Sequence, residues 1–144
     1  SSEDNLVIVE ENEEEAYQKI SEDFGIEPVK ILLVAENMKF ISMKLDEKMQ
    51  IAKFFYEYNG ERLIYLISAS YKKDSFGFEI EDKVIDKYFI DVQRRKIEIK
   101  QYKVRDDMYR YSAYFEEMKM GYFLTGTMQK SEFEAIVENL HFLH

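Results

Sequence analysis

The chain has 144 residues, 46% hydrophobic and 34% charged, with one Pro, five Gly and no Cys, which excludes disordered, collagen-like, disulfide-stapled and zinc-cysteine classes. A single domain of this length buries about 68 to 70% of the surface of its unfolded chain, enough to fold without metal or disulfide. The formal net charge of -9 argues against nucleic acid as a partner, because affinity for a polyanion rests on Lys and Arg displacing its counterions.

The charge is concentrated. Residues 1–28 carry ten acids and one base, Lys19, leaving 19 acids and 19 bases for residues 29–144. The chain therefore reads as one domain in two parts, an acidic arm over 1–28 and a neutral body over 29–144. Within the arm, Ala16, Tyr17, Ile20 and Phe24 fall on one helical stripe between Glu11 and Phe24, followed by Gly25 as a stop and Pro28 beyond it. That narrow stripe has to pack on something, since a lone helix of about 12 to 15 residues is marginal in water. The acids suit a solvated helix N-terminus and also suit a basic partner.

Beyond Pro28 the apolar period becomes two. Strand-like runs rich in Ile, Val, Tyr and Phe occupy 30–34, 39–45, 49–58, 61–71, 83–92, 96–104, 108–117 and 119–125. Asn59-Gly60 between two apolar runs predicts a tight hairpin, because a type I′ turn needs positive φ at both central positions. The breaks at Asp74–Gly77, Arg94-Arg95, Arg105–Asp107 and Glu117-Met118 are short, which favours an antiparallel meander. Phe133, Ile136, Val137 and Leu140 then share a closing helical stripe, with Ser131 and Glu134 as a capping box or Gln129 at the entry. The predicted class is α+β: a curved antiparallel meander sheet of about seven strands, with an N-terminal and a C-terminal helix packed on it.

The central strands are apolar on both sides. Ile51 and Phe55 oppose Ala52, Phe54, Tyr56 and Tyr58, while Leu63, Tyr65 and Ile67 oppose Ile64 and Leu66. Each face then needs a cover. The helices supply one, and sheet curvature, a partner subunit or an apolar ligand supplies the other.

Catalytic signatures are missing from the sequence: there is no phosphate loop, metal-binding His-Glu helix, EF-hand or nucleophile elbow. His141 and His144 sit at the end of the chain, and Glu81-Asp82 and Asp106-Asp107 sit where acids cap turns. No catalytic residue, metal or cofactor is assigned. Tyr109, Tyr111, Ala113 and Phe115 share one strand face and read as a core layer with hydroxyls at its rim. Arg94, Arg95, Lys96, Lys100, Lys103 and Arg105 form the one basic patch, suited to blunting a strand edge, to anionic headgroups or to the acidic arm. No apolar run approaches the roughly 18 to 20 residues of a membrane span. The opening Ser1-Ser2-Glu3 carries neither Met nor a signal-peptide pattern, so a targeting segment is expected upstream. The lack of Cys is compatible with an oxidising compartment.

The entry Phe24-Gly25-Ile26-Glu27-Pro28, the turn Glu36-Asn37-Met38-Lys39-Phe40, the hairpin Phe55-Tyr56-Glu57-Tyr58-Asn59-Gly60 and the ending Tyr122-Phe123-Leu124-Thr125-Gly126, with Glu132-Phe133 and Asn139-Leu140 after it, come in a telling order. Over residues 24–142 the chain resembles an uncharacterised extracytoplasmic domain family of Gram-positive bacteria, found after a single membrane helix in anti-sigma-factor-like and sporulation-associated proteins. Where that family has Pro and Gly in the turn, this chain has Ala35 and Asn37, and Asn tolerates positive φ. The resemblance implies a curved sheet holding a helix, similar to the half-barrel of lipoprotein carriers, with no catalytic residues. It also implies a place outside the cytoplasmic membrane, tethered upstream.

The expected function is a non-enzymatic extracytoplasmic binding or sensing module of a membrane-tethered regulator. Its sheet face would receive a protein segment or an apolar ligand in a groove lined by Phe54, Tyr56, Tyr65, Ile67, Tyr88 and Tyr111. The alternatives are a structural domain that homodimerises through that face and, third, a carboxylate-dependent hydrolase.

Overall fold

The Asn59-Gly60 turn forms as its residue types require, with φ of 51° and 78°. It joins β3 (Ile51–Tyr58) to β4 (Glu61–Ser68) in unbroken register from Tyr58↔Glu61 to Ile51↔Ser68. The computed structural model describes residues 7–32, 35–69 and 83–143. Besides that hairpin these form β1 (Val7–Glu10), α1 (Glu13–Phe24), β2 (Met38–Asp46), β5 (Lys83–Val92), β6 (Arg95–Arg105), β7 (Met108–Glu117), β8 (Met120–Thr127) and α2 (Lys130–Glu138).

All eight strands make one open antiparallel sheet in the order β1-β2-β3-β4-β8-β7-β6-β5. This α+β architecture matches the predicted class, with two corrections. The sheet is two meanders rather than one, joined where β4 pairs with β8 (Tyr65↔Leu124). Among the described residues the strands number eight where about seven were expected, because β1 was hidden in the acidic arm, and residues 30–32 of the run at 30–34 belong to no sheet strand. Lys30 instead makes an isolated bridge to His141. The chain passes from β4 in the middle to β5 at the far edge; the Asp74–Gly77 break and the Glu81-Asp82 pair fall between them, outside the described residues, as does His144.

Local chemistry sets the helix ends. Asn12 accepts the Glu15 amide at 2.9 Å and starts α1, whereas Gly25, at φ 72°, ends it in the left-handed region. At α2 the capping pair is Gln129 and Glu132, the Glu132 carboxylate accepting the Gln129 amide at 3.0 Å, and not Ser131 with Glu134.

Period-two patterning gives the sheet an inner and an outer face. The inner face presents Met43, Leu45, Ala52, Phe54, Tyr56, Leu63, Tyr65, Ile67, Ile97, Ile99, Ala113, Phe115, Tyr122 and Leu124, all buried with Ala16, Tyr17 and Ile20 of α1 and Phe133, Ile136 and Val137 of α2. The outer face carries the second apolar set: Leu66 is buried, and Ile51, Phe55, Ile64 and Phe123 are half-buried. Lys44, Lys53 and Arg62 gather around the Phe55 ring, their charged groups 5.7, 6.0 and 5.7 Å from its centroid. Their aliphatic stems cover apolar surface there.

Candidate functional site

Of the six residues assigned from pattern to a groove, Phe54, Tyr56, Tyr65, Ile67 and Tyr111 are buried on the inner face and Tyr88 is half-buried on edge strand β5. The chain itself lies against them. Phe54 stacks on Tyr17 of α1 with centroids 4.4 Å apart, and Tyr111 stacks on Phe133 of α2 at 5.6 Å. Tyr88 donates to Glu134 of α2 at 2.5 Å, with Lys130 Nζ 4.6 Å from its ring centroid.

The segment after α1 crosses the same face as a strap held by phenols. Tyr65 donates to the Val29 carbonyl at 2.7 Å, while the Val29 amide donates to Tyr122 at 3.2 Å. The Ile31 amide donates to Tyr17 at 3.1 Å, and the Tyr17 and Tyr56 hydroxyls are 2.8 Å apart. Tyr56 in turn gives its proton to Glu13 at 2.5 Å. Lys30, on the strap's other side, exchanges both backbone hydrogen bonds with His141, at 3.2 and 2.8 Å. Side-chain hydroxyls thus do for this segment what a neighbouring strand does elsewhere, satisfying buried backbone groups. Burial pushes the phenols of Tyr17, Tyr56 and Tyr65 well above their ordinary range, and that of Tyr122 up to about 12. At neutral pH they are neutral hydrogen-bonding groups rather than proton carriers.

The six basic residues are strung along β6 and do not converge. Arg94 sits in the β5–β6 turn at φ 71°. Beside it Arg95 pairs with Glu117 at 2.5 Å and lies 4.1 Å from the Phe142 centroid. Lys96 and Lys100 follow on the outer face, with Lys100 3.8 Å from Glu98. Lys103 and Arg105 lie at the opposite end, where Arg105 donates to Met108 Sδ at 3.2 Å.

A cleft that sequence reasoning missed opens at the sheet end shared by the β3–β4 turn, the β6–β7 turn and the β8–α2 junction. It encloses about 450 Å³ and is lined by Tyr58, Asn59, Glu61, Asp107, Met108, Tyr109, Tyr111, Thr127, Met128, Gln129 and Glu132. Asn59 and Asp107 adopt φ of 51° and 57°, so both turns are tight and hold their residues at the rim. Tyr58 donates to Glu132 Oε2 at 2.7 Å while Glu132 Oε1 accepts the Gln129 amide, pinning this carboxylate between β3 and α2. That bond to Glu132, reinforced by burial, raises the Tyr58 phenol above its usual range; burial does the same for Tyr111. Next to Thr127, a Cβ on Gly126 would come within 2.8 Å of Leu63 Cδ1 and 3.1 Å of Met128 Cε, so a side chain there would crowd both. Two smaller hollows, of about 370 and 310 Å³, flank Phe55 on the outer face.

The signals for the cleft were Tyr109 and the paired turns Asn59-Gly60 and Asp106-Asp107, but their meeting depends on β8 lying between β4 and β7. Among the described residues no group of three or more His, Cys, Asp or Glu is arranged to hold a metal ion, and no helix is long and apolar enough to cross a membrane.

Over residues 28–140 the chain matches the family described as a domain of unknown function (DUF4367), and it belongs to that family. No curated protein and no solved structure matches it. The family match begins at Pro28, so β1 and α1 lie before it.

Proposed function

We propose that the chain is the non-enzymatic binding or sensing domain of a membrane-tethered, anti-sigma-like regulator, displayed outside the cytoplasmic membrane of a Gram-positive cell, and that it receives a segment of a partner protein. The observation that carries this reading is the cleft of about 450 Å³. It is built from strand ends and a helix start, elements that hold side chains still, and it joins aromatic and thioether walls to a few fixed polar groups, the usual make-up of a recognition site. The rest of the inner face is filled by α1, α2 and the strap, which supports a receiving surface at the end of the sheet rather than in its middle. The extracytoplasmic, tethered setting is supported by the resemblance of the ordered motifs between Phe24 and Leu140.

The test is a photocrosslinking amino acid at Tyr109 in the tethered parent protein in intact cells, with a control at exposed Phe89. The expected result is one partner captured from 109 and not from 89, its crosslink mapping to a single extended segment. A folded protein that captures nothing at 109 would count against the reading.

Homodimerisation, the second reading, is favoured by β5. This ten-residue strand is a sheet edge exposing Val84, Ile85 and Phe89 at 46, 45 and 59%, and an open edge is a template for another chain. A solution mass twice that of the chain would select it.

A further inference from the structure

We infer that the cleft recognises a cationic segment, a Lys- or Arg-bearing extended stretch of a partner polypeptide whose charged head sits among Glu61, Asp107 and Glu132 and whose stem lies along Tyr58, Tyr109 and Met108. The inference rests on the binding reading above and supplies its ligand chemistry.

Three of the eleven residues lining the cleft are carboxylates and none is Lys or Arg. Overall acidity does not account for this, because residues 29–144 balance 19 acids with 19 bases and the excess lies in the arm. The start of α2 would favour an anion, but Glu132 already answers it by bonding the Gln129 amide. Glu61 and Asp107 are therefore surplus negative charge, and an anionic ligand is disfavoured. Of the neighbouring bases, Lys130 covers the Tyr88 ring and Arg62 sits over Phe55 on the outer face, while Arg105 reaches the rim, where it bonds Met108 Sδ and leaves the carboxylates in excess, three against one guanidinium. The walls suit the rest of such a side chain, since phenol rings attract a cation over their faces and thioethers adapt to a flexible methylene stem. The bonds that pin Glu132 fix one carboxylate before any ligand arrives, which lowers the ordering cost of binding.

The experiment is a titration of the ¹⁵N-labelled chain with a capped peptide of alternating Leu and Lys, beside the peptide in which Gln replaces Lys. The expected result is that amides of Asn59, Asp107, Thr127 and Gln129 shift with the Lys peptide alone. The Glu61→Gln/Asp107→Asn variant should bind on the order of five-fold more weakly, as two partly exposed ion pairs allow, and added salt should weaken binding further. Glu61 and Asp107 are exposed, so the variant is expected to keep the dispersed spectrum of the parent. Glu132→Gln keeps the capping geometry, because Gln serves at that position too, and provides an independent third loss. Equal binding of the Gln peptide at the cleft would overturn the cationic assignment and leave the binding reading standing. Shifts confined to Glu14, Glu15 and Glu22 of α1 would overturn it as diffuse attraction to the arm. No shift with either peptide would overturn it as well, and the crosslink at 109 then decides the binding reading by itself.

Discussion

Tyr65 illustrates why an aromatic on a sheet face says little until its hydroxyl is traced. Its ring is fully buried and packs between Phe54 and Tyr122, with centroids 6.0 and 6.1 Å away, while its oxygen donates to the Val29 carbonyl at 2.7 Å. Tyr65→Phe keeps the volume and removes that donor. We expect a loss of about 1–3 kcal/mol, the cost of a buried polar group deprived of its partner. Phe54→Ala, which empties a ring-sized space against Tyr17, is expected to cost about 3–5 kcal/mol. Urea midpoints with unchanged slopes measure both. A near-neutral Phe54→Ala would mean that this ring faces a surface and not the core. Tyr65 does not line the cleft, so a folded Tyr65→Phe variant should bind there as the parent does.

At the next level the question is what α1 does for a family domain whose match starts after it. Its buried residues Ala16, Tyr17 and Ile20 complete the core over β2 and β3, and Tyr17 anchors the strap through the Ile31 amide. A chain starting at Pro28 would uncover Met43, Leu45, Phe54 and Tyr56. The two large side chains lost with α1, Tyr17 and Ile20, at about 1.5–3 kcal/mol each, make the expected loss about 3–6 kcal/mol, a large part of a typical domain's 5–15 kcal/mol. The shortened chain should melt earlier and bind a hydrophobic dye that the whole chain ignores; equal stability of the two would show α1 to be an ornament. This helix was legible in the sequence because its stripe has a period and a glycine stop, although its Asn12 cap was not read. The Asn59-Gly60 hairpin was legible because two adjacent positive φ angles demand particular residues. The placing of β8 between β4 and β7 was not, since strand order is set by long-range pairing that alternation along each strand does not encode, and the cleft was lost with it. β1 was missed for a different reason: four apolar residues, Leu6–Val9, between Asn5 and the acids from Glu10 on, carry too little pattern. The buried groove set shows the limit from the other side, as Tyr65 in a core and Tyr109 at a rim have the same alternation.

For the molecule as a whole, the phenol network makes stability depend on pH in one direction. Tyr17, Tyr56, Tyr65 and Tyr122 all have folded values raised above 10.0 by burial, Tyr122 to about 12. An unfolded chain releases these protons near pH 10, whereas the folded chain retains them. Above that pH the unfolded state therefore binds fewer protons, and stability falls as pH rises. The contribution is complete below pH 10 and is lost through the window up to and beyond about 12. Each retained proton weakens folding by about 1.4 kcal/mol per pH unit, so four together act at about 5 to 6 kcal/mol per unit and overcome a typical domain's stability within about one to three units. Tyrosinate absorbance and circular dichroism followed together should show the four buried phenols ionising in a cooperative step above pH 10 that coincides with loss of ellipticity. A single smooth titration of all the tyrosines near pH 10, with ellipticity unchanged, would mean that the strap is not sealed under its phenols. The inner face would then be open to the segment that we assign to the cleft.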